Sequence, residues 1–285
     1  MRIHALQTGT VAVKEAQRSG SHGSGPIRLL NTLADRRWTE PLPIYAWAIE
    51  HPEGVIVVDT GDTARTAVSG YFPWWHPYYR LGVKLYVQPE EEIGPQLRQI
   101  GFEPGDVRWL VLTHLHTDHA GGLHHFPQAE ILVSRTEYEQ ASGWIGRLNG
   151  YLPHRWPAWF APRLVDFAPE PIGPFPASIP LTQSGDVRLV ATPGHTAGHL
   201  SVVVQADDRA FFIAGDTSYT EQLMRDQVVD GVTFDNTVAQ KTLARILTFV
   251  RQTPTVYLPS HDPESAQRLA AQQVVPDHTA DVTIR

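Results

Sequence analysis

The amino-acid sequence predicts an α/β protein. Short apolar runs at 55–58, 107–112 and 210–214 have the length and composition of buried strands. Apolar residues at helical spacing separate such runs, most clearly over 236–251. The strands recur in both halves of the chain, and no stretch reads as a free linker. We therefore expect one domain over residues 1–285 rather than two small ones.

The expected elements follow one another along the whole chain. A hairpin joins strands 44–49 and 55–59, and a Ser/Gly-rich loop covers 19–25. Asp262 and Pro263 suit the cap and first position of a helix that runs to about residue 272. Further strands are expected at 2–13, 107–112, 131–133, 187–190, 200–204, 210–214 and 256–258, and helices at 91–100, 135–141 and 236–251.

The composition excludes several classes of protein. A formal net charge of −7 disfavours a general nucleic-acid binder, which needs a basic face. The chain has no cysteine, so any metal must be held by His, Asp or Glu. The N-terminal residues lack a signal-peptide core, and no apolar run is long enough to span a bilayer. We expect a cytoplasmic protein without a membrane partner.

The densest chemical signal is the stretch 113–122, which directly follows the strand 107–112. It carries His114, His116, Asp118 and His119, four metal-ligand side chains within six positions. Neutral imidazole and carboxylate suit zinc and similar divalent metals. One histidine at a strand end is commonly structural, but four such residues together predict a metal site.

Three more candidate ligands share the same setting, just beyond an apolar strand. They are His195, Asp216 and His261. Individually each is weak evidence, since a turn residue or a helix cap would look the same. Together with the first cluster they supply five histidines and two aspartates. That number suffices for two metals about 3.5 Å apart with one bridging carboxylate.

The order of these motifs resembles the metallo-β-lactamase superfamily across essentially the whole chain. The motifs are His-x-His-x-Asp-His, then Gly-His-Thr-x-Gly-His, then Gly-Asp, then a late Ser-His. The resemblance implies an αββα sandwich, in which two mixed β-sheets are flanked by helices. It implies one metal on His114, His116 and His195, a second on Asp118, His119 and His261, and Asp216 as the bridge.

A narrower resemblance points to N-acyl-homoserine lactonases, because Tyr219 lies three residues after the bridging Asp216. It implies that a hydroxide bridging two metals opens the lactone ring. Tyr219 would donate a hydrogen bond to the developing oxyanion, and Asp118 would carry the proton to the leaving oxygen. Many lactonases have an aromatic residue where this chain has Thr117.

Several alternatives stay open at this point. The metals are expected to be zinc, with cobalt, manganese or iron as alternatives. Other esters, thioesters or organophosphates compete with the lactone as substrate. A nuclease is disfavoured by the net negative charge of the chain. A non-catalytic protein with a structural metal is disfavoured because such a metal site is fully coordinated, whereas seven ligands for two metals leave room for water. The aromatic stretches 71–80 and 144–160 suit either the pocket for an apolar acyl chain or a homodimer contact.

Four polar residues outside the ligand set receive weaker expectations. Asp59 ends a strand, and we expect it to orient a metal-bound histidine. His199 is expected to be a structural or supporting residue, because it faces into the strand that follows it. His124 and His125 are expected to belong to a solvated turn.

Overall fold

Two β-sheets form the centre of the computed structural model, which describes residues 1–20, 23 and 25–276. The first sheet has the order β4-β1-β2-β3-β5-β6-β7 and the second β12-β11-β10-β9-β8, and both contain parallel and antiparallel pairs. The strands are β1 (Arg2–Val13), β2 (Leu42–Glu50), β3 (Val55–Val58), β4 (Val83–Tyr86), β5 (Val107–Val111), β6 (Glu130–Ser134), β7 (Arg163–Val165), β8 (Ser178–Pro180), β9 (Val187–Ala191), β10 (Leu200–Gln205), β11 (Ala210–Gly215) and β12 (Thr255–Pro259).

Helices cover the outer faces of the two sheets. Among the described residues, none of them combines the length and apolar character needed to cross a bilayer. They are α1 (Glu15–Arg18), α2 (Gly25–Ala34), α3 (Pro77–Leu81), α4 (Ile93–Gln99), α5 (Thr117–Ala120), α6 (Arg135–Ser142), α7 (Trp144–Leu148), α8 (Glu221–Arg225), α9 (Asn236–Gln252) and α10 (Ser265–Ala270).

The core has three apolar layers, which define the order helix, sheet, sheet, helix. The middle layer joins the inner faces of the two sheets, as where Trp47 of β2 and Ile213 of β11 belong to one buried cluster. Leu97 of α4 packs in a second cluster with the outer face of the first sheet. Leu243 of α9 does the same for the second sheet. The predicted αββα sandwich is therefore confirmed, and burial on both faces explains why its strands are continuously apolar.

The structure corrects the sequence prediction at three places. The prolines of the stretch 71–80 predict that it is not helical, but it includes the start of α3, with Pro77 at the first position, where a missing N–H costs nothing. The prolines of residues 169–180 likewise predict a connection between elements, but this segment ends in β8. The helix expected to have Asp262 as its cap and Pro263 as its first residue begins instead at Ser265. The Asp262 carboxylate still accepts the Glu264 N–H, as a cap would, and it also accepts the Glu221 N–H from outside the helix.

The Ser/Gly-rich loop predicted at 19–25 lies partly outside the described residues, and α2 begins at Gly25. The predicted hairpin between β2 and β3 is confirmed as an antiparallel pair.

Parallel pairing collects strand ends at one edge of the sandwich. β3 pairs in parallel with β5, and β11 pairs in parallel with β12. The residues that leave these four strands are Asp59, the 113–119 segment, Asp216 and His261. Because the carboxyl ends of parallel strands meet at the same edge, polar side chains distant in sequence become neighbours there.

Candidate metal centre

The structure brings all seven predicted metal-ligand residues together. Each of three overlapping groups has ligand atoms that lie within 4.8 Å of one another. These groups are His114, His116 and His195; Asp118, His119 and His261; and His114, His119 and Asp216. The first two are the predicted sets for two metals. The third places Asp216 beside His114 of the first set and His119 of the second.

Asp216 lies at the centre of this arrangement. One carboxylate oxygen, Oδ1, is 3.2 Å from His119 Nε2. The other, Oδ2, is 3.4 Å from His261 Nε2 and 3.6 Å from His195 Nε2. Asp118 Oδ2 is 3.5 Å from His261 Nε2. A carboxylate with an oxygen directed to each set of histidines can bridge two cations.

The residues present fit a pair of metal ions. Within this cluster three buried atoms make no hydrogen bond of adequate geometry, namely His114 Nε2, His119 Nε2 and Asp216 Oδ1, although the last two are only 3.2 Å apart. Buried polar atoms are almost always partnered, so three that converge on one point indicate a group that binds there. Ligands about 2.1 Å from a tetrahedral centre are about 3.4 Å apart. The separations of 3.2 to 3.6 Å around Asp216 agree with that geometry.

The charges in the cluster follow from burial and close approach. Burial, followed by the neighbouring His195, lowers the pKa of His116 to about 3. Burial also holds the pKa of His114 well below its usual range. Burial alone would raise the pKa of Asp216, but His261 and other histidines beside it keep that pKa well below the usual value. His114 and His116 therefore present neutral imidazoles and Asp216 an ionised carboxylate, the forms that bind a metal. For His119, His195 and His261 burial is outweighed by nearby carboxylates, which raise the pKa, so these imidazoles would have to lose a proton when a metal binds.

Asp59 supports one of the candidate ligands, in agreement with the contact expected from the sequence. Its Oδ2 lies 2.8 Å from His119 Nδ1 and also accepts the Thr113 hydroxyl, while Oδ1 accepts the Thr113 backbone N–H. Asp59 is fully buried and has a φ of 61°, a left-handed conformation that non-glycine residues adopt infrequently. This strand end is thus shaped to aim a carboxylate at His119.

Two other supporting carboxylates could not be recognised from the sequence. Asp230 Oδ2 lies 3.1 Å from His195 Nδ1, and nothing in its polar segment distinguished it from a turn residue. Glu137 of α6 accepts both the Leu115 N–H and the Thr196 hydroxyl, which ties the two histidine loops together. In sequence Glu137 looked like an exposed helix residue, although it is 1% exposed.

His199 has a structural contact, as its position in the sequence suggested. Its Nε2 accepts the backbone N–H of Asp216 at 3.1 Å, and its Nδ1 pairs with the Thr192 hydroxyl. Burial, followed by the nearby His195, lowers the pKa of His199 to about 3. His199 is therefore a neutral acceptor that orients the segment carrying Asp216.

Tyr219 lies over the candidate metal ligands. Its ring stacks on His261 with centroids 5.6 Å apart. The phenol oxygen accepts a hydrogen bond from Gln17 Nε2 at 2.8 Å, and the same amide lies 2.9 Å from the Tyr78 hydroxyl. Burial raises the pKa of Tyr219 well above its usual value. Because the phenol oxygen accepts the Gln17 N–H, the phenol proton stays available to be donated to another partner. Gln17 had no recognisable sequence signal, whereas Tyr78 belongs to the aromatic stretch 71–80.

A cavity of about 450 Å³ opens above the ligands. Its floor includes His116, Asp118, His195, Asp216 and His261. Its apolar walls come from β1, β4, both aromatic stretches and the segment before α9, through Val11, Val13, Tyr78, Tyr79, Val83, Leu85, Leu148, Tyr151 and Phe234. Both stretches thus contribute to the pocket, while Trp74 and Trp144 remain exposed. A homodimer contact stays a prediction.

Two further sequence interpretations can be compared with the structure. Thr117 lines the cavity and donates a hydrogen bond to Asp62 Oδ1 at 3.1 Å. Asp62 was missed in the sequence; burial, followed by the nearby Asp118, raises its pKa to about 8. The solvated turn expected for His124 and His125 is wrong in part, because both side chains are half-buried against Glu92.

Comparison with known proteins agrees with the fold and the site. The sequence model of the metallo-beta-lactamase superfamily matches residues 39–261, which include all seven candidate ligands. The chain is 24% identical to the N-acyl homoserine lactonase AttM of Rhizobium radiobacter over 278 residues, 93% of this chain and 94% of that protein. It is 28% identical to an N-acyl homoserine lactonase of Bacillus thuringiensis over 225 residues, 78% and 82% of the two chains.

A solved structure with similar architecture is an N-acyl homoserine lactone hydrolase with the product N-hexanoyl-L-homoserine at its catalytic metal centre. Its TM-score is 0.73 at 22% identity, over 97% of this chain and 98% of that one. The protein is thus a member of the metallo-beta-lactamase superfamily of metal-dependent hydrolases.

Proposed function

We propose that this protein hydrolyses the lactone ring of N-acyl homoserine lactones with two divalent metal ions. The observation that carries the proposal is the cluster of seven candidate ligands at the floor of an apolar cavity, five of which line it, with Tyr219 above them. Relatives that bear the name N-acyl homoserine lactonase support the choice of substrate. A ring carbonyl would face the ligands while the acyl chain lies along the apolar walls.

The seven residues divide between two cations. His114, His116 and His195 would hold one, and Asp118, His119 and His261 would hold the other. The two oxygens of Asp216 would serve both. Bound divalent cations would supply hydroxide at neutral pH and polarise the substrate carbonyl. The donor set suits zinc and also accepts cobalt, manganese or iron.

Tyr219 and Asp118 carry the remaining chemical roles. The Tyr219 phenol would donate its proton in a hydrogen bond to the carbonyl oxygen as negative charge develops there. Gln17 holds the phenol in place through its oxygen. The Asp118 side chain is 20% exposed, whereas that of Asp216 is 7% exposed. Asp118 can therefore reach the substrate side of the cluster and pass a proton to the leaving ring oxygen.

The apolar walls would contribute to binding in proportion to acyl length. Each buried methylene contributes about 0.8 kcal/mol, so several of them favour a long chain over a short one. Val83 and Leu85 of β4 and Leu148 of α7 supply apolar surface for this purpose. Thr117 lies on the same wall, where many lactonases have an aromatic residue.

Proton release on ring opening provides the test. The metal-loaded enzyme would be given short-chain and long-chain N-acyl homoserine lactones, an acyl thioester and an organophosphate triester. We expect metal-dependent opening of the lactones, which stops when a chelator removes the metal. Turnover of the thioester or the triester without any lactone would contradict the proposal and favour another hydrolase of the same superfamily.

A further inference from the structure

A second cluster of metal-ligand side chains lies outside the seven residues described above. Glu92 stands immediately before α4, and His124 and His125 end the 3-10 turn Gly121–His125. His125 Nε2 is 2.7 Å and His124 Nε2 is 3.2 Å from the same oxygen, Glu92 Oε2. We propose that Glu92, His124 and His125 bind a third divalent cation of the zinc class.

The donor atoms and their spacing suit such a cation. Two imidazole nitrogens and one carboxylate oxygen are a ligand set that zinc accepts, with a solvent molecule in the fourth position. One ligand atom from each residue lies within 4.8 Å of the others. The 3.2 Å separation of His124 from Glu92 is already near the ~3.4 Å between ligands of a tetrahedral ion. The 2.7 Å pair would need to open by about 0.7 Å.

Neighbouring contacts hold Glu92 in place for this role. Its other oxygen, Oε1, accepts the Thr63 hydroxyl at 2.9 Å and the Ala64 N–H at 2.8 Å. These bonds orient the carboxylate so that Oε2 faces the histidines. The Glu92 side chain is only 11% exposed, and these two hydrogen bonds hold its carboxylate on the buried side. A ligand that is fixed in this way loses little freedom when a cation binds.

The two imidazoles are also held side by side. Their ring centroids are 4.1 Å apart and their planes differ by 36°. Gly94 of α4 allows the close approach of His125, because a Cβ at that position would lie 2.6 Å from His125 Nδ1. Two half-buried imidazoles directed at one carboxylate oxygen form a site open to solvent on one side, through which an ion can enter.

The protonation states agree with this geometry. Burial, followed by the adjacent His125, lowers the pKa of His124, so its neutral form dominates at pH 7. A neutral imidazole nitrogen is a metal ligand, whereas an imidazolium is not. Burial raises the pKa of Glu92, but hydrogen bonds from Ala64 and other neighbours outweigh it and keep the carboxylate ionised. Arg65 is the cation that affects His124, and its side chain is exposed to solvent.

A cation here would join two segments that reach the main site. Thr63 and Ala64 belong to the loop that starts at Asp59, and His124 lies five residues after the candidate ligand His119. Glu92 already contacts both segments. The ion would therefore stabilise the structure around α5 without touching the substrate.

The test counts zinc in the intact protein. Wild-type protein would be equilibrated with zinc, freed of excess by dialysis and assayed for zinc per chain by mass spectrometry. Zinc titration calorimetry would give the affinity of the last site. We expect three zinc ions per wild-type chain, and two in His124→Gln and in Glu92→Gln, or a last site weakened by about tenfold or more. The variant His154→Gln, which removes an exposed histidine elsewhere, serves as the matched control and should retain three.

The outcomes separate this inference from the proposed function. Two zinc ions in the wild type would overturn the third site, whether or not the enzyme opens lactones. Three ions in both His124→Gln and Glu92→Gln would also overturn it, since the extra ion would lie elsewhere. If Glu92→Gln fails to fold, His124→Gln decides, because it alters a half-buried side chain at the end of a turn.

Discussion

Replacement of Asp59 by Asn tests how the candidate site holds its second cation. Asn is close to Asp in shape and tolerates the φ of 61°, so the backbone cost should be small. Its amide oxygen can still accept the Thr113 N–H. The amide nitrogen, however, replaces the oxygen that lies 2.8 Å from His119 Nδ1. His119 then loses the acceptor that keeps its proton on Nδ1 and leaves Nε2 free to bind a metal.

The magnitude follows from that one contact. A hydrogen bond to a charged group contributes about 1.5–3 kcal/mol. Loss of a carboxylate that supports a histidine ligand typically weakens metal binding by about 10- to 100-fold, or about 1.4–2.8 kcal/mol. The two figures describe the same contact and agree. We therefore expect Asp59→Asn to weaken the cation on Asp118, His119 and His261, and to affect the other cation much less.

Chelator titration with metal analysis measures this effect. One of the two ions at the candidate centre of Asp59→Asn should leave at about 10- to 100-fold lower chelator concentration than in the wild type. Asp186→Asn is the matched control, because it alters another carboxylate paired with a histidine, His51, away from the candidate ligands. Equal chelator midpoints for Asp59→Asn and the wild type would refute the reasoning. Equal weakening in the Asp186 variant would show a general loss of stability instead.

Three further predictions concern catalysis, packing and pH. Tyr219→Phe should lower the turnover rate by about 100-fold with unchanged metal content; loss of metal would show a structural role instead. Gly215→Ala should destabilise the protein by about 1–2 kcal/mol or more in urea unfolding, because φ is 57° and the new Cβ would lie 2.6 Å from His199 Nε2. Burial raises the pKa of Asp186, but hydrogen bonds from neighbouring hydroxyls and His51 lower it to about 2. A carboxyl group whose pKa is lower in the folded than in the unfolded protein stabilises the fold at pH values above the unfolded pKa. Asp186→Asn should therefore unfold at a lower temperature than the wild type at pH 7. The difference in unfolding temperature should shrink between about pH 4 and pH 2, as the wild-type carboxyl becomes protonated.

Local sequence patterns were sufficient for most of the elements. The strand β5 and the helix α9 were recognisable because apolar content and period reflect burial directly. The start of the last helix was not, because the Asp262 carboxylate accepts the nearby Glu264 N–H but is shared with Glu221 and Arg268, and the helix begins only at Ser265. Propensity describes what a residue can do locally, and the tertiary partners of Asp262 decide what it does.

The sequence by itself determined the candidate ligands, because their chemistry is rare and their position after strands is a local feature. It also carried the resemblance that implied the αββα order. Apart from Asp59, which its position after a strand had indicated, only the tertiary structure decided which carboxylates support those ligands. Asp230 and Glu137 are ordinary acidic residues in sequence and become partners of His195 and Thr196 through contacts across the fold. Such pairing depends on which surfaces meet when the sheets and helices pack, and no period or spacing along the chain records it.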